Sequence, residues 1–316
     1  MRPRELYRDP VYDGATDPTV VIAHDGWWMF YTQRRATHPD PGPGVSWVHG
    51  SRIGVARSPE GLVWTYAGTL EPDTAGLALD AAGPPAVVDA THWAPDVVHD
   101  GTAWRMYLTE IDGIPDRWPG HARHIVEYTS PDLRRWTRVG PLTLVSDRVI
   151  DAAVTVCPDG LWRLWYKDEA ADSVTKVAVS ADLRAWRDAG TAVGGRPHEG
   201  PYVFPLGGRW WMITDEWRGL AVHSSLDAVS WQRQGGPDDV VLEGFDGVPR
   251  AHHGAAVRDG ANVWFYWFGH PLAAVDRGAE GEGVDERRSA VYRSLLTVDE
   301  GMLQATVIES SQSHGS

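Results

Sequence analysis

Five copies of one pattern run along this chain, and a repeat of that kind leaves few folds open. From Asp17 onward, each copy has an apolar run, a turn, a Trp-rich run and a small-residue run. The first four copies add a Ser-x5-Trp-x3-Gly run, seen from Ser58 to Gly68, Ser130 to Gly140, Ser180 to Gly190 and Ser225 to Gly235. The Trp-rich runs align from Trp27, Trp104, Trp162, Trp210 and Val263. Self-similarity at about 50 to 75 residues, with four strands per unit, is the signature of a β-propeller. The expected fold class is therefore all-β, a five-bladed β-propeller with four antiparallel strands per blade. One such domain spans residues 1–309, and residues 310–316 read as a disordered tail.

Composition sets the partners. The 17 Trp residues within a 42% hydrophobic content supply a core for one closed body. No apolar stretch approaches the roughly 20 residues of a membrane span, and the first seven residues hold no apolar signal core, so a soluble, cytoplasmic protein is expected. A net charge of −14 argues against nucleic acid or anionic lipid as partner. Cys157 stands alone, which excludes an internal disulfide and a thiolate metal cluster.

Turn residues order the strands within each unit. Asp25-Gly26, Asp100-Gly101, Asp159-Gly160, Gly207-Gly208 and Asp259-Gly260 mark hairpins between first and second strands. In a propeller the first strand of every blade lines the central axis, so the five first strands start together at one mouth. Those starts are Asp17, the stretch His92 to Asp96, Asp151, Glu199 and His253. Asp17, Asp151 and Glu199 each lie eight residues before a turn residue, and equal spacing predicts equal depth. Asp96 lies four residues from its turn, which predicts a place about 13 Å deeper at roughly 3.3 Å per residue.

Crowded carboxylates at one mouth push their pKa values apart, leaving one ionised base and one protonated acid. Glycoside hydrolysis needs that division, and an inverting enzyme holds the pair about 6.5–9.5 Å apart with a water between. Asp17-Pro18, Trp93-Ala94-Pro95, Ile150-Asp151, Glu199-Gly200-Pro201 and His253-Gly254, each opening its blade, resemble glycoside hydrolase family 43. The likeness runs from about Asp17 to Leu296. It implies a general base at Asp17, a pKa-tuning and orienting role for Asp151 and a general acid at Glu199. It also implies inversion, and an axial-channel Ca²⁺ or Na⁺ held through His253, which reads equally well as a hydrogen-bonding channel residue. No cofactor is required. Blade three departs from the family pattern, with Asp-Ala-Ala where Asp-Pro is frequent. The motifs of fructan-cleaving relatives are absent from the sequence.

Other candidates surround this set. Trp93 at the mouth suits stacking on a sugar. Second-strand ends should rim the pocket, bringing Arg34, Lys167 and Trp217 to substrate, with Arg250 just before the fifth blade start. Lys167 stands out because the chain has 2 lysines against 27 arginines. Asp96 is a rival to the triad, with a binding or structural part. Long loops, residues 35–51 and 111–123, favour a pocket and hence exo action on arabinose- or xylose-containing oligosaccharides. A phosphorylase, an anhydrosugar-type glycosidase or a lyase on the same body is the alternative, for which Lys167 and Arg250 are the local phosphate candidates; a catalytically silent glycan-binding propeller is a further one. Neither the sugar nor the oligomeric state is written in the sequence.

Overall fold

The computed structural model describes residues 3–80, 89–244, 249–273 and 283–308. The expected tail at 310–316 lies outside them, as do residues 274–282 in the loop after the second strand of the fifth blade. Blade one comprises β1 (Ala15–Ala23), β2 (Gly26–Gln33), β3 (Arg52–Ser58) and β4 (Thr65–Pro72). An additional strand, β5 (Gly76–Asp80), follows. Blade two is β6 (Ala90–His99), β7 (Trp104–Asp112), β8 (His124–Ser130) and β9 (Arg135–Pro141). Blade three is β10 (Val149–Val156), β11 (Trp162–Asp168), β12 (Val174–Ser180) and β13 (Arg187–Val193). Blade four is β14 (Glu199–Leu206), β15 (Arg209–Asp215), β16 (Leu220–Ser225) and the short β17 (Gln232–Arg233). Blade five is β18 (Gly254–Asp259), β19 (Asn262–Gly269), β20 (Ala290–Asp299) and β21 (Met302–Val307). Neighbouring strands within every blade are antiparallel and consecutive.

The repeated Ser and Trp positions explain why the blades stack. Ser58, Ser130, Ser180 and Ser225 each accept at Oγ, at 2.9 Å, the backbone N–H three residues on. The residue so held has positive φ, as at Gly61 (72°) and Leu133 (64°). That turn presents the following Trp edge-on to the preceding blade. Trp64 meets Tyr266, Trp136 meets Phe30, Trp186 meets Tyr107 and Trp231 meets Trp165, at interplanar angles of 84–90°. All four partners occupy the same place in the Trp-rich repeat. Aromatic pairs in this geometry add about 0.5–1.5 kcal/mol beyond their burial.

Five hydrophobic clusters fill the five junctions between successive blades, including that between blades five and one. The ring is therefore closed. Its closure is strapped by the N-terminal segment: Leu6 N–H donates to Val291 O at 2.8 Å, Val291 N–H to Tyr7 O at 2.9 Å, and Arg4 N–H to Ile308 O at 2.9 Å. β5 adds a feature absent from the repeat, pairing with both β4 and β9 so that blades one and two become one nine-stranded sheet.

Candidate active site

Four of the five first strands carry a bulge near their start, and the bulges position the site. Register slips between Thr16 and Thr19, Trp93 and Asp96, Ile150 and Ala153, and Glu199 and Tyr202. In each slip two residues face one on the second strand, and the first of the two is left-handed: Asp17 (φ 50°), Ala94 (44°), Asp151 (59°) and Gly200 (57°). Bulges of this kind re-aim a side chain, here toward the axis. A left-handed backbone at non-glycine residues stores strain, and such strain collects at functional sites.

This register corrects the depth inferred from spacing. Hairpin loops differ in length, with two residues between Ala23 and Gly26 but five between Val156 and Trp162, so counting back from a turn does not measure depth. Asp17 and Asp151 are equivalent, whereas Glu199 stands one residue before its bulge. Asp96 lies two residues past Ala94, roughly 7 Å deeper at about 3.3 Å per residue, half the expected distance.

Contacts link the three carboxylates into one site. Asp17 Oδ1 lies 3.6 Å from His253 Nδ1, and its Oδ2 lies 3.8 Å from the Arg34 guanidinium. The His253 ring presses on Gly200, where an added Cβ would come within 2.6–2.8 Å of it. Gly200 N–H donates to Asp151 Oδ2 at 3.0 Å. Beside Gly200, Glu199 accepts from Lys167 Nζ at Oε2 and from the Trp217 indole N–H at Oε1, both at 2.9 Å. Glu199 is the most open of the three, its side chain 27% exposed against 9% for Asp17.

Electrostatics give each group a different state. Burial works against the Asp17 charge, but Arg34 and His253 outweigh it and hold the carboxyl well below the usual carboxylate range. Burial, with Glu199 adding to it, pushes Asp151 up to about 7. Partial burial works against the Glu199 charge too, yet Lys167 and Trp217 draw it below its ordinary value. His253 resists its own burial because Asp17, Asp151 and Glu199 surround it, and it rises to about 9. At neutral pH Asp17 and Glu199 are ionised, the His253 imidazolium stands beside Asp17, and Asp151 is close to half-protonated.

The sequence matches no protein-family model and no curated protein. Solved structures are similar to it in fold. One is a thermostable family-43 glycoside hydrolase, 17% identical at a TM-score of 0.67, covering 97% of this chain and 98% of that one. Another is the RS223 β-xylosidase, 12% identical at 0.66, covering 98% and 99%. A third, a Bombyx mori GH32 β-fructofuranosidase, is 14% identical at 0.68 and covers 98% of this chain and 65% of that one. This chain shares their five-bladed fold. At these identities the likeness is one of fold, and roles rest on the residues themselves.

Those residues are not all where the sequence placed them. Trp93 is 7% exposed: its indole donates to Val48 O at 2.8 Å, while His49, Trp118 and the Arg123 guanidinium pack on its ring. It stiffens a wall built by both long loops and does not offer a sugar-stacking face. Trp217 is 38% exposed, with the Lys167 ammonium 5.2 Å from its ring centroid. Arg250 donates to Trp217 O at 2.7 Å, and so steadies the Trp217 turn. Asp96 is 2% exposed and accepts from Val154 N–H at 2.7 Å, tying blade two to blade three below the mouth. Lys167, offered as a phosphate ligand, is engaged with Glu199. Among the described residues no group of three His, Cys, Asp or Glu side chains could hold a metal, and His253 stands beside Asp17 with its imidazole raised toward the charged form.

Sequence reasoning missed Arg123. It pairs with Glu169 at 2.9 Å, donates to the Trp118 carbonyl and adds positive potential near Asp151 and Glu199. Its position at the end of a long loop, directly before β8, was the available signal.

Proposed function

We propose that this protein is an inverting glycoside hydrolase acting through Asp17 and Glu199. The observation that carries the reading is one contact chain: Arg34 and His253 beside Asp17, His253 against Gly200, the Gly200 N–H on Asp151, and Glu199 next to Gly200 at the open edge. Asp17 is suited to accept a proton from water as that water's oxygen bonds the anomeric carbon. Glu199, at the open edge, is suited to protonate the departing oxygen as the old bond breaks. Asp151 orients the Gly200 backbone next to Glu199 and supplies the charge coupling that keeps a proton available.

The substrate reading is an oligosaccharide bearing arabinose or xylose at its end, attacked in exo fashion. Residues 35–51 and 111–123 support it by packing together as one wall, with Val45 N–H donating to Asp116 O at 3.0 Å and Arg35 tying His49 O and Ser46 O. A panel of nitrophenyl α-L-arabinofuranosides, β-xylosides and β-galactosides, with the first-formed anomer read by NMR, tests the proposal. Release of a sugar with inverted configuration is expected. Retention would overturn the inverting assignment, and phosphate-dependent turnover would replace hydrolysis with phosphorolysis.

A further inference from the structure

Neither oxygen of Glu199 is free of a protein donor. Oε2 accepts from the Lys167 ammonium and Oε1 from the Trp217 indole, both at 2.9 Å. Each partner can only donate, so a protonated Glu199 can pass a hydrogen to neither. The ammonium's positive charge also opposes the protonation that a carboxyl must undergo before it can deliver a proton to a leaving oxygen.

The two donors differ in freedom. Trp217 is fixed: its φ is 57°, its N–H donates to Asp215 Oδ1 at 2.7 Å, and Arg250 holds its carbonyl. The adjoining Glu216 is clamped by Arg218 and Arg233, each at 2.6 Å. Lys167 has a flexible stem and other places to go. Glu169 Oε1 lies 3.6 Å from its Nζ, and the Trp217 ring centroid 5.2 Å.

Resting on the hydrolase reading above, we propose that Lys167 is a positioning residue that gates the acid: it pins Glu199 as a carboxylate in the empty site and swings to Glu169 when a substrate oxygen reaches Glu199. Glu199 then takes up one proton, and Asp151, no longer facing an anion, gives one up. The charged groups that set the balance are Lys167 from β11, Glu169 from the turn after it, Asp151 from β10, Asp17 from β1, His253 before β18 and Arg123 before β8. The gate keeps the acid ionised until a ligand is in place, and it gives a reason for lysine at this position in a chain with 2 lysines against 27 arginines, because a guanidinium fork would hold the carboxylate too rigidly.

Two measurements test this. With glutamate carboxyl carbons labelled by ¹³C and the Glu199 signal assigned by Glu199→Gln, the free protein should show Glu199 titrating below the ordinary glutamate value. Lys167→Met should raise it by about 1–3 pH units, the effect of removing an opposite charge at this range. Trp217→Phe, which spares the buried lysine, should raise it less. An unmoved signal in both variants overturns the gate, whatever the protein hydrolyses.

The second measurement uses an alkyl glycoside of the sugar found in the nitrophenyl panel. The basic limb of kcat/KM reports the free protein and that of kcat the bound complex. The gate predicts a kcat limb about 1–3 pH units higher in the natural protein and coincident limbs in Lys167→Met. Coincident limbs in the natural protein would overturn it. A shifted NMR titration without hydrolysis of any glycoside would leave the pinning intact and defeat the hydrolase reading instead.

Discussion

At the residue scale, the three carboxylates do different work because their neighbours differ. Glu199→Gln keeps shape while removing the transferable proton, and its amide oxygen can still accept from one of the two donors. Loss of kcat/KM on alkyl glycosides should reach roughly 10²–10⁴, with a much smaller loss on nitrophenyl glycosides, whose leaving group needs little protonation. Equal losses on both would show that Glu199 is not the acid. Asp17→Asn should cost a comparable factor on both substrates, since water activation is needed whatever departs. Asp151 offers a separate test through its proton. Replacing it by Asn leaves Glu199 alone with Lys167, so the basic limb should move to lower pH. The same change should raise stability at pH 8 by about 1–2 kcal/mol, because the native protein there keeps a buried carboxyl ionised against its raised value of about 7. A thermal melt at pH 8 and at pH 4.5 checks this, the gain being confined to the higher pH. The types and order of these residues were legible in the sequence. Their partners were not: Lys167 was visible as an oddity among arginines, but that it grips Glu199 depends on β11 and β14 lying side by side.

Among the elements, the repeat was the readable part. The edge-on Trp contacts follow the repeat directly, since the same residue recurs at the same offset in four blades. Trp136→Ala should therefore cost about 3–5 kcal/mol in urea unfolding, the usual penalty for deleting a buried large aromatic. What could not be read was the bulge at each strand start, since nothing in Asp17-Pro18 or Asp151-Ala152 announces a positive φ until the second strand is laid beside it. Hairpin loops of unequal length hid the true register for the same reason. β5 escaped notice too, because Gly76-Leu77-Ala78-Leu79-Asp80 is a short alternating run outside the repeat, and its two partner strands are far apart in sequence. Gly200→Ala probes the bulge directly. A Cβ there meets the His253 ring and requires a left-handed alanine, so glycosidase activity should fall at least tenfold while circular dichroism still reports a sheet protein.

For the whole molecule, the site sets a pH profile of stability. Asp17, lowered in the folded state, adds stability that is present above its unfolded value near 3.8 and lost as pH falls through its folded value. His253, raised from 6.5 to about 9, adds stability that is full below 6.5 and lost as pH rises through 9. Asp151 also favours its protonated form, and its share is lost between about 4 and 7. The melting temperature should accordingly peak on the acid side of neutrality, near pH 5, and decline toward pH 9. A profile rising to pH 9 would contradict the protonated His253. The ring itself is not uniform. β5 welds blades one and two through a backbone ladder, whereas blades three and four remain separate sheets, joined by side chains and by one bond from His198 N–H to Ser173 O at 3.0 Å. Amide hydrogens of β5 and β9 should exchange slowly with heavy water compared with those of β13 and β17. Lys167 and Glu199 stand on opposite banks of the unwelded joint, so a slight breathing of that joint alters the gap between them, while Asp17 stands on blade one, which β5 anchors to blade two.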